Sequence, residues 1–340
     1  MRSFIVGRSQ TVHYCGSVSR CAVVRSGVAQ GSVLGPLLYV LYTADIQKLV
    51  VSLGFGVHLY ADDTQFHGSC KSSDAADLAA RAMDVISAVK TWMSSNRLRL
   101  NADKTQFIWL GTSHFLGQRD MPTVNSILQS TVAVNDLGVH LDPGLVMDRQ
   151  VSKLCQVCYF HLRRLRTVRR SLTKESLLTL VHAFVTSRVD HCNGILFGAH
   201  SYLLDRIQSV LNSAARLVLN IPKFSHISAA IRDELHWLPI KRRIEFKIAL
   251  MVRHCVVGTA PEYLKELCHP VSSAVGRQSL RSASRGDLTV PRYRLQTFGH
   301  RAFAVSGPQI WNSLPLKIRQ SCDNLLLFKK KLKAHLFQQF

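Results

Sequence analysis

Two adjacent carboxylates, Asp62 and Asp63, are the residues of this sequence best placed to do chemistry. The alternating segment Gly56 to Tyr60 precedes them and Thr64 to His67 follows, which predicts a β-hairpin with both acids at its tip. Like charges this close repel one another, and Mg²⁺, which prefers one or two carboxylates plus phosphate oxygens, would compensate them. A pair of such ions promotes nucleotidyl transfer. An acidic turn alone is more often a solvated loop, so this interpretation depends on other segments of the chain.

A glycine-containing loop upstream of the acids could receive a phosphate. Gln30, Gly31 and Ser32 precede Gly35 and Pro36, and this order predicts a loop that enters a helix. A residue without a side chain and the N–H groups at a helix start both let nucleic acid or a nucleotide approach the backbone.

The elements that must position these residues form a mixed front half and a helical back half. The predicted elements are helices at Leu37 to Leu53 and Asp74 to Ser95 (capped by Ser73 or Asp74), a strand at Thr105 to Leu110, and one or two strands within Thr131 to Leu141. From Asp148 onward, apolar residues recur at three- and four-residue spacing, which predicts helices throughout.

Positive charge is concentrated in the back half. The chain has 340 residues with 43 Lys+Arg and 21 Asp+Glu. Residues 1–142 carry 12 basic and 10 acidic side chains, whereas residues 143–340 carry 31 and 11. This asymmetry indicates one unit that does chemistry and one that holds a polyanion, with a generic basic surface as the alternative.

Basic side chains cluster on the predicted helices of the back half. The first cluster comprises Arg163, Arg164, Arg166, Arg169 and Arg170. Lys241 to Arg243 and Lys329 to Lys331 are shorter runs of the same kind. Such clusters suit the phosphates of a nucleic-acid duplex, largely without reading its sequence, and a solvated helix face is the alternative. The nucleic-acid interpretation predicts binding that weakens steeply with salt.

Several other classes of protein are disfavoured. The longest apolar stretch, Val33 to Ala44, contains Pro36 and is too short to span a membrane, so no membrane partner is expected. Nine cysteines at irregular spacing indicate reduced intracellular thiols rather than a disulfide framework. Cys155, Cys158 and His161 lie at helical spacing within an apolar pattern, which favours buried side chains over a zinc site.

Three segments resemble consecutive motifs of reverse transcriptases, namely Gly27 to Tyr39, Tyr60 to Asp63, and Asn101 to Thr105. They are most similar to those of LINE-type, non-LTR retrotransposons, the jockey-like mobile elements. Leu235 to Pro239 and Trp311 to Pro315 resemble thumb and carboxy-terminal segments of the same elements. The resemblance implies an α+β chain in which a partial reverse-transcriptase palm, an antiparallel sheet with helices, precedes an all-α thumb and C-terminal region.

The resemblance also implies a reaction, RNA-directed DNA synthesis, in which a primer 3′-hydroxyl attacks the α-phosphate of a deoxynucleotide at a pair of Mg²⁺ ions. It makes Asp62 a metal ligand, makes Asp63 a second ligand or a support for the first, and places Lys104 near the triphosphate as an aid to pyrophosphate departure. Contacts with nucleotide or template are implied for Gln30, Gly31, Ser32 and Tyr60. Tyr60 could instead be an ordinary strand aromatic, and Lys104 an ordinary surface lysine.

The implied partners are an RNA template, a DNA primer or RNA–DNA duplex, and deoxynucleotides, with no oligomeric state indicated. The family usually has proline before the Gln-Gly pair, where this chain has Ala29, a difference expected to change only the stiffness of the loop. The family also requires an aspartate on a strand upstream of this loop, and no Asp or Glu occurs before Asp45. The sequence therefore resembles an N-terminally truncated enzyme that is inactive alone, with an incomplete metal site. A non-catalytic nucleic-acid-binding remnant is the alternative.

Four regions are expected. They are a partial palm at 1–145, lacking the first catalytic strand and the fingers; a helical thumb or connection at 146–270; a flexible linker at 271–296; and a small C-terminal unit with a basic helix at 297–340. An intracellular protein is expected, with nucleus and cytoplasm both compatible with the resemblance.

Overall fold

The computed structural model describes residues 2–29, 31–117, 131–276 and 278–339. The chain divides into two compact units, Met1–Thr131 (unit 1) and Val132–Phe340 (unit 2). Helices account for 56% of the structure and strands for 9%, so the mixed α+β composition is confirmed.

Unit 1 combines short antiparallel strand pairs with two long helices. Its described helices are α1 (Arg2–Ile5), α2 (Leu34–Ser52), α3 (Ala75–Ser95) and α4 (Ser113–Leu116), with 3₁₀ turns at Ser72–Asp74 and Ala102–Lys104. Its described strands are β1 (Ser9–Gln10), β2 (His13–Tyr14), β3 (Ser17–Val18), β4 (Ala22–Val23), β5 (Gly56–Tyr60) and β6 (Asp63–His67). Strand β1 pairs with β4, β2 with β3 and β5 with β6, so the described strands form separate two-stranded ribbons.

The core of unit 1 lies where α2, α3 and β5 pack together. Helix α3 buries Leu78, Ala82, Val85, Val89 and Met93. These residues recur at three- and four-residue spacing, the pattern from which the helix was predicted. A fully buried side chain of this size stabilises a fold by about 1.5–3 kcal/mol. Asp74 precedes α3 as expected, but no capping hydrogen bond from its side chain is present.

The segment Thr105 to Leu110 was predicted to be a strand, but it does not form one. Within this segment only Phe107 forms an isolated bridge. Trp109 is buried, and its ring meets that of Phe107 edge-on at 5.3 Å between centroids. Aromatic packing against the core, and not a strand ladder, positions this segment.

Helix α2 is longer than the apolar stretch predicted. Pro36 occupies its first turn, where a missing N–H costs little, and Gly54 with φ +79° follows its end. With 19 residues, α2 is long and apolar enough to cross a membrane by length and composition alone. This helix extends beyond the apolar stretch Val33 to Ala44 that was expected to be too short, because it continues past the paired charges of Asp45 and Lys48. Core helices of soluble proteins and signal sequences pass the same test, and the absence of a membrane partner stays a prediction.

Unit 2 starts with a short antiparallel hairpin, β7 (Val134–Asp136) and β8 (Val139–Leu141), and is otherwise helical. Its longer helices are α5 (Asp148–Thr167), α6 (Lys174–Val181), α8 (Ser201–Leu219), α9 (Ser228–Asp233), α10 (Ile240–Val256), α14 (Phe303–Ser313) and α16 (Leu325–Gln338). Its one-turn helices are α7 (Ser187–Asp190), α11 (Glu262–Lys265), α12 (Arg281–Ser284), α13 (Gln296–Gly299) and α15 (Leu316–Arg319). Further turns are 3₁₀ at Arg169–Ser171, Asn193–Leu196 and Val271–Ser273, and π-helical at His182–Thr186.

One hydrophobic core runs through unit 2. Helix α5 packs against α8, and α10 packs against α14 and α16. The largest fully buried side chains at these contacts are Trp311, Phe328, Leu203, Ile207 and Leu211.

The Ser/Arg-rich segment at 271–296 has specific contacts with α14. Leu288 is buried, and the side chain of Asn312 accepts a hydrogen bond from its N–H and donates one to its C=O, both at 2.8 Å. The indole N–H of Trp311 donates to the carbonyl of Gly286 at 3.2 Å. These bonds attach at least the centre of the segment to the helical core.

Candidate functional site

Asp62 lies in the turn of the β5–β6 hairpin, and Asp63 is the first residue of β6, one position earlier than the predicted start of that strand at Thr64. Tyr60 pairs with Asp63, so Ala61 and Asp62 form a two-residue turn. Ala61 has φ +52°, a left-handed conformation that such turns require and that residues other than glycine rarely adopt. Asp62 and Asp63 are both exposed. The hairpin therefore presents two adjacent negative charges to solvent.

Tyr39, on the second turn of α2, lies close to this acidic turn. Its side chain is half-buried. Burial and, after it, the negative charge of Asp62 raise the pKa of the Tyr39 phenol above its ordinary value. The phenol therefore keeps its proton at neutral pH and adds no negative charge beside Asp62. The sequence pattern did not single out Tyr39, because its distance from Asp62 is set by the packing of α2 on β5.

The loop before α2 has the tight backbone that its glycines predicted. Gly31 has φ +82°, and a Cβ there would meet no atom within 4 Å, so conformation and not space requires glycine. The N–H of Ser32 donates to the carbonyl of Ala29 at 3.2 Å, and its hydroxyl donates to the same oxygen at 2.7 Å. A Cβ on Gly35 would lie 2.9 Å from the Ser32 Oγ. Gln30, the other predicted residue of this loop, lies outside the described residues.

Tyr60 and Lys104 are accessible but sit in different elements. Tyr60 is 64% exposed at the end of β5, next to the acidic turn. Lys104 is exposed in a 3₁₀ turn, and its N–H donates to Asn101 at 3.2 Å. Among the described residues, Lys104 forms no ion pair with Asp62 or Asp63.

The acidic turn supplies two potential metal ligands. Carboxylate oxygens are the donors that Mg²⁺ prefers, and one or two of them suffice when substrate phosphates complete the coordination. In the part of the chain that the structure describes, no cluster of three or more His, Cys, Asp or Glu side chains could hold a metal ion.

The predicted arginine cluster lies at the C-terminal end of α5 and the turn after it. Arg163, Arg164, Arg166 and Arg170 are exposed. Arg169 is half-buried, and its Nε donates to the carbonyl of Leu217 at the end of α8, at 3.1 Å. Positive charge in the last turn of α5 also complements the helix dipole. Four guanidinium groups therefore remain available to a polyanion, while Arg169 attaches the turn to α8.

Cys155 and Cys158 are buried on α5, as the apolar pattern predicted, whereas His161 is half-buried. Both thiols face the core of unit 2, and burial together with the neighbouring Cys155 raises the pKa of Cys158 to about 12. A thiol with so high a pKa does not ionise readily, whereas zinc binds the thiolate. The ring of His161 instead stacks on that of Phe184.

Part of the chain is similar in sequence to known proteins. Residues 3–120 match the reverse transcriptase (RNA-dependent DNA polymerase) family. The chain is 32% identical over 162 residues to the RNA-directed DNA polymerase from mobile element jockey of Drosophila funebris. This alignment covers 45% of this chain and 17% of that protein. The resemblance to non-LTR retrotransposon reverse transcriptases is confirmed.

The similarity to these reverse transcriptases extends beyond the family match. The probable RNA-directed DNA polymerases from transposon BS and transposon X-element of Drosophila melanogaster are 26% and 27% identical over 254 and 248 residues. Each alignment covers 68% of this chain, more than unit 1 contains, so it reaches into unit 2. The chain spans about a quarter or less of the length of these three relatives. No solved structure matches the chain.

The reverse-transcriptase match contains every residue predicted to act in catalysis. Asp62, Asp63, Lys104 and Tyr60 lie between residues 3 and 120, as does the loop of Gly31 and Ser32. The arginines of α5 follow the match, in unit 2.

Proposed function

We propose that this chain is part of an RNA-directed DNA polymerase of a non-LTR retrotransposon. Unit 1 corresponds to part of the palm and unit 2 to the thumb and C-terminal region. The observation that carries the proposal is the pair Asp62 and Asp63, exposed at a hairpin turn inside the reverse-transcriptase match and close to the helix that follows the Gly31 loop. The reaction is attack of a primer 3′-hydroxyl on the α-phosphate of a deoxynucleotide, with release of pyrophosphate.

Asp62 and Asp63 would hold Mg²⁺, because two exposed neighbouring carboxylates suit a hard cation that takes its remaining ligands from phosphates. When bound, the ion supplies positive charge to the oxygens around phosphorus. Tyr39 keeps its proton and so remains a neutral dipole beside Asp62. The backbone at Gly31 has no side chain to keep a phosphate away, and Lys104 would neutralise charge on the triphosphate.

Unit 2 supplies the electrostatic part of the proposal. The exposed arginines of α5 would contact the phosphates of the primer–template duplex, a contact without sequence preference. Each phosphate neutralised releases condensed counterions, so the affinity for an RNA–DNA hybrid should fall steeply with salt. A flat salt response would contradict this assignment.

Binding of Mn²⁺, a paramagnetic substitute for Mg²⁺, tests the acidic turn directly. We expect water proton relaxation to report Mn²⁺ binding that Asp62→Asn and Asp63→Asn each weaken. Asp77→Asn is the matched control, because Asp77 is an exposed carboxylate of the same unit on α3. The same affinity in all three variants and the parent chain would refute the metal assignment.

Primer extension on an RNA template with Mg²⁺ tests the reaction. Extension that is lost in Asp62→Asn supports the role of the acidic turn and overturns the expectation that the chain is inactive alone, whereas extension that survives this change refutes the role of the acidic turn. The non-catalytic alternative predicts a third outcome, in which the chain binds hybrid, does not extend it, and binds equally well as Asp62→Asn.

A further inference from the structure

An aromatic and basic surface lies where α5 meets the π-helical segment His182–Thr186 and α7. Its members, the aromatic–arginine patch, are Phe160, His161 and Arg164 of α5, Phe184 of the π-helical segment, and Arg188 of α7. Phe160 is 47% exposed and Phe184 is 38% exposed. Two phenylalanines this accessible, on the surface of a unit with an extensive core, are not needed to complete that core.

The rings of the patch are arranged as a stack with an edge contact. The rings of His161 and Phe184 are 5.0 Å apart between centroids and 15° from parallel. Phe160 meets His161 edge-on, at 5.5 Å and 75°. The guanidinium carbon of Arg164 lies 5.6 Å from the centroid of Phe160. These contacts fix flat aromatic surfaces in place before any ligand arrives.

The backbone contributes to this arrangement. A π-helical turn inserts an extra residue into the regular helical ladder and is frequent at functional sites. Here it connects α6 to α7. Val181 and Val185 on either side of Phe184 in the sequence are buried and hold the turn on the core, while Phe184 itself is exposed. The hydroxyl of Thr186 lies 2.9 Å from the Nδ1 of His182, which ties the turn together.

The electrostatics of the patch are positive. Burial, then the charges of Arg188 and Arg164, lower the pKa of His161, so its ring is neutral at pH 7 and stays an aromatic surface. Arg164 and Arg188 are both exposed and supply the charge. Such a combination of aromatic faces and guanidinium groups complements a ligand that alternates flat rings with anions.

We propose that the aromatic–arginine patch binds single-stranded nucleic acid, with unpaired bases stacked on Phe160 and Phe184 and flanking phosphates held by Arg164 and Arg188. The proposal rests on the proposed function, because it adds to unit 2 a site for the unpaired strand next to the arginines that serve the duplex, with Arg164 common to both sites. A base offers its face to a side chain only when it is unpaired, so a duplex would leave the aromatic rings unused. Stacking tolerates every base, so no sequence preference is expected.

Fluorescence anisotropy with the full chain tests the proposal. The probes are a mixed-sequence RNA oligonucleotide, the same sequence as single-stranded DNA, the corresponding RNA–DNA hybrid, and an abasic oligonucleotide of equal length. Phe160→Leu and Phe184→Leu keep an apolar side chain but remove the flat ring. Phe224→Leu is the matched control, because Phe224 is 92% exposed in the same unit with the Lys223 nitrogen 5.4 Å from its ring centroid.

We expect Phe160→Leu to raise the dissociation constant of at least one single-stranded probe by roughly 5- to 150-fold, the range for loss of one stacked base. Phe224→Leu should leave that constant unchanged. The abasic probe should bind the parent chain and Phe160→Leu equally, since it has phosphates but no rings to stack. Circular dichroism melting of each variant verifies that unit 2 remains folded.

Three results with the single-stranded and abasic probes, and one with the hybrid, would overturn the proposal. The first three are equal affinity of the parent chain and both phenylalanine variants for single strands, equal affinity of the parent chain for abasic and normal probes, and no measurable binding of any single strand. An equal loss of hybrid binding in Phe160→Leu would also do so, since it would assign the patch to the duplex. The hybrid and Mn²⁺ measurements on the parent chain judge the proposed function separately.

Discussion

Asn312→Ala is expected to detach the segment around Leu288 from α14. The Asn312 side chain makes two hydrogen bonds of 2.8 Å to the backbone of Leu288, whose own side chain is buried. Two neutral hydrogen bonds contribute about 0.5–1.5 kcal/mol each, and an orphaned buried N–H or C=O costs about 1–3 kcal/mol. Because water can enter and form part of the lost hydrogen bonds, we expect the free energy of local opening of this segment to fall by about 2–4 kcal/mol.

Amide hydrogen exchange measures this loss directly, because the N–H of Leu288 is one of the two groups released. Local opening made easier by about 2–4 kcal/mol accelerates exchange by roughly 25- to 700-fold. Ser313→Ala is the control, since the exposed Ser313 hydroxyl bonds only to the Ile310 carbonyl of its own helix at 2.7 Å. Rapid exchange of Leu288 in the parent chain, or no acceleration in Asn312→Ala, would refute the reasoning and favour the linker predicted from composition.

Three further outcomes are expected. Ala61→Gly should raise the melting temperature of unit 1 by stabilising the hairpin by about 1 kcal/mol, because glycine adopts φ +52° without the penalty that alanine suffers; an unchanged temperature would contradict this. Replacing both Arg166 and Arg170 by alanine should flatten the slope of log affinity against log salt for an RNA–DNA hybrid by about 1–2, measured by anisotropy titration; an unchanged slope would exclude them from phosphate contact. Iodoacetamide at pH 8 should alkylate the exposed Cys15 long before Cys158, whose pKa is raised to about 12 by burial, as mass spectrometry of the intact fold can verify.

Local patterns predicted those parts of the molecule that local interactions determine. The β5–β6 hairpin follows from alternation around a two-residue turn, and α3 follows from its apolar spacing. The approach of Tyr39 to Asp62 depends on how α2 packs on the hairpin, 23 residues along the chain, and no pattern within either segment contains that information. The predicted strand at Thr105 to Leu110 has the right residue types, but its aromatic side chains pack on the core and Phe107 alone forms a bridge.

The basic residues of unit 2 show why net charge alone overstates a binding surface. Arg253 is buried and donates to the carbonyls of Cys322 and Asp323 at 2.6 and 3.0 Å. Arg301 donates to three backbone carbonyls in two segments distant along the chain. Their charges stabilise the fold, and a guanidinium that is already hydrogen-bonded inside the protein cannot also release counterions from a phosphate.

The same distinction divides the arginine cluster itself. The Nε of Arg169 donates to the carbonyl of Leu217 on α8, whereas Arg166 and Arg170 are exposed and available to phosphates. The salt dependence of hybrid binding should therefore follow the exposed guanidinium groups of α5 and its following turn, and not the 31 basic residues of the back half. Arg169→Ala should accordingly lower the stability of unit 2 more than it changes the salt slope, the reverse of the effect expected for Arg166→Ala.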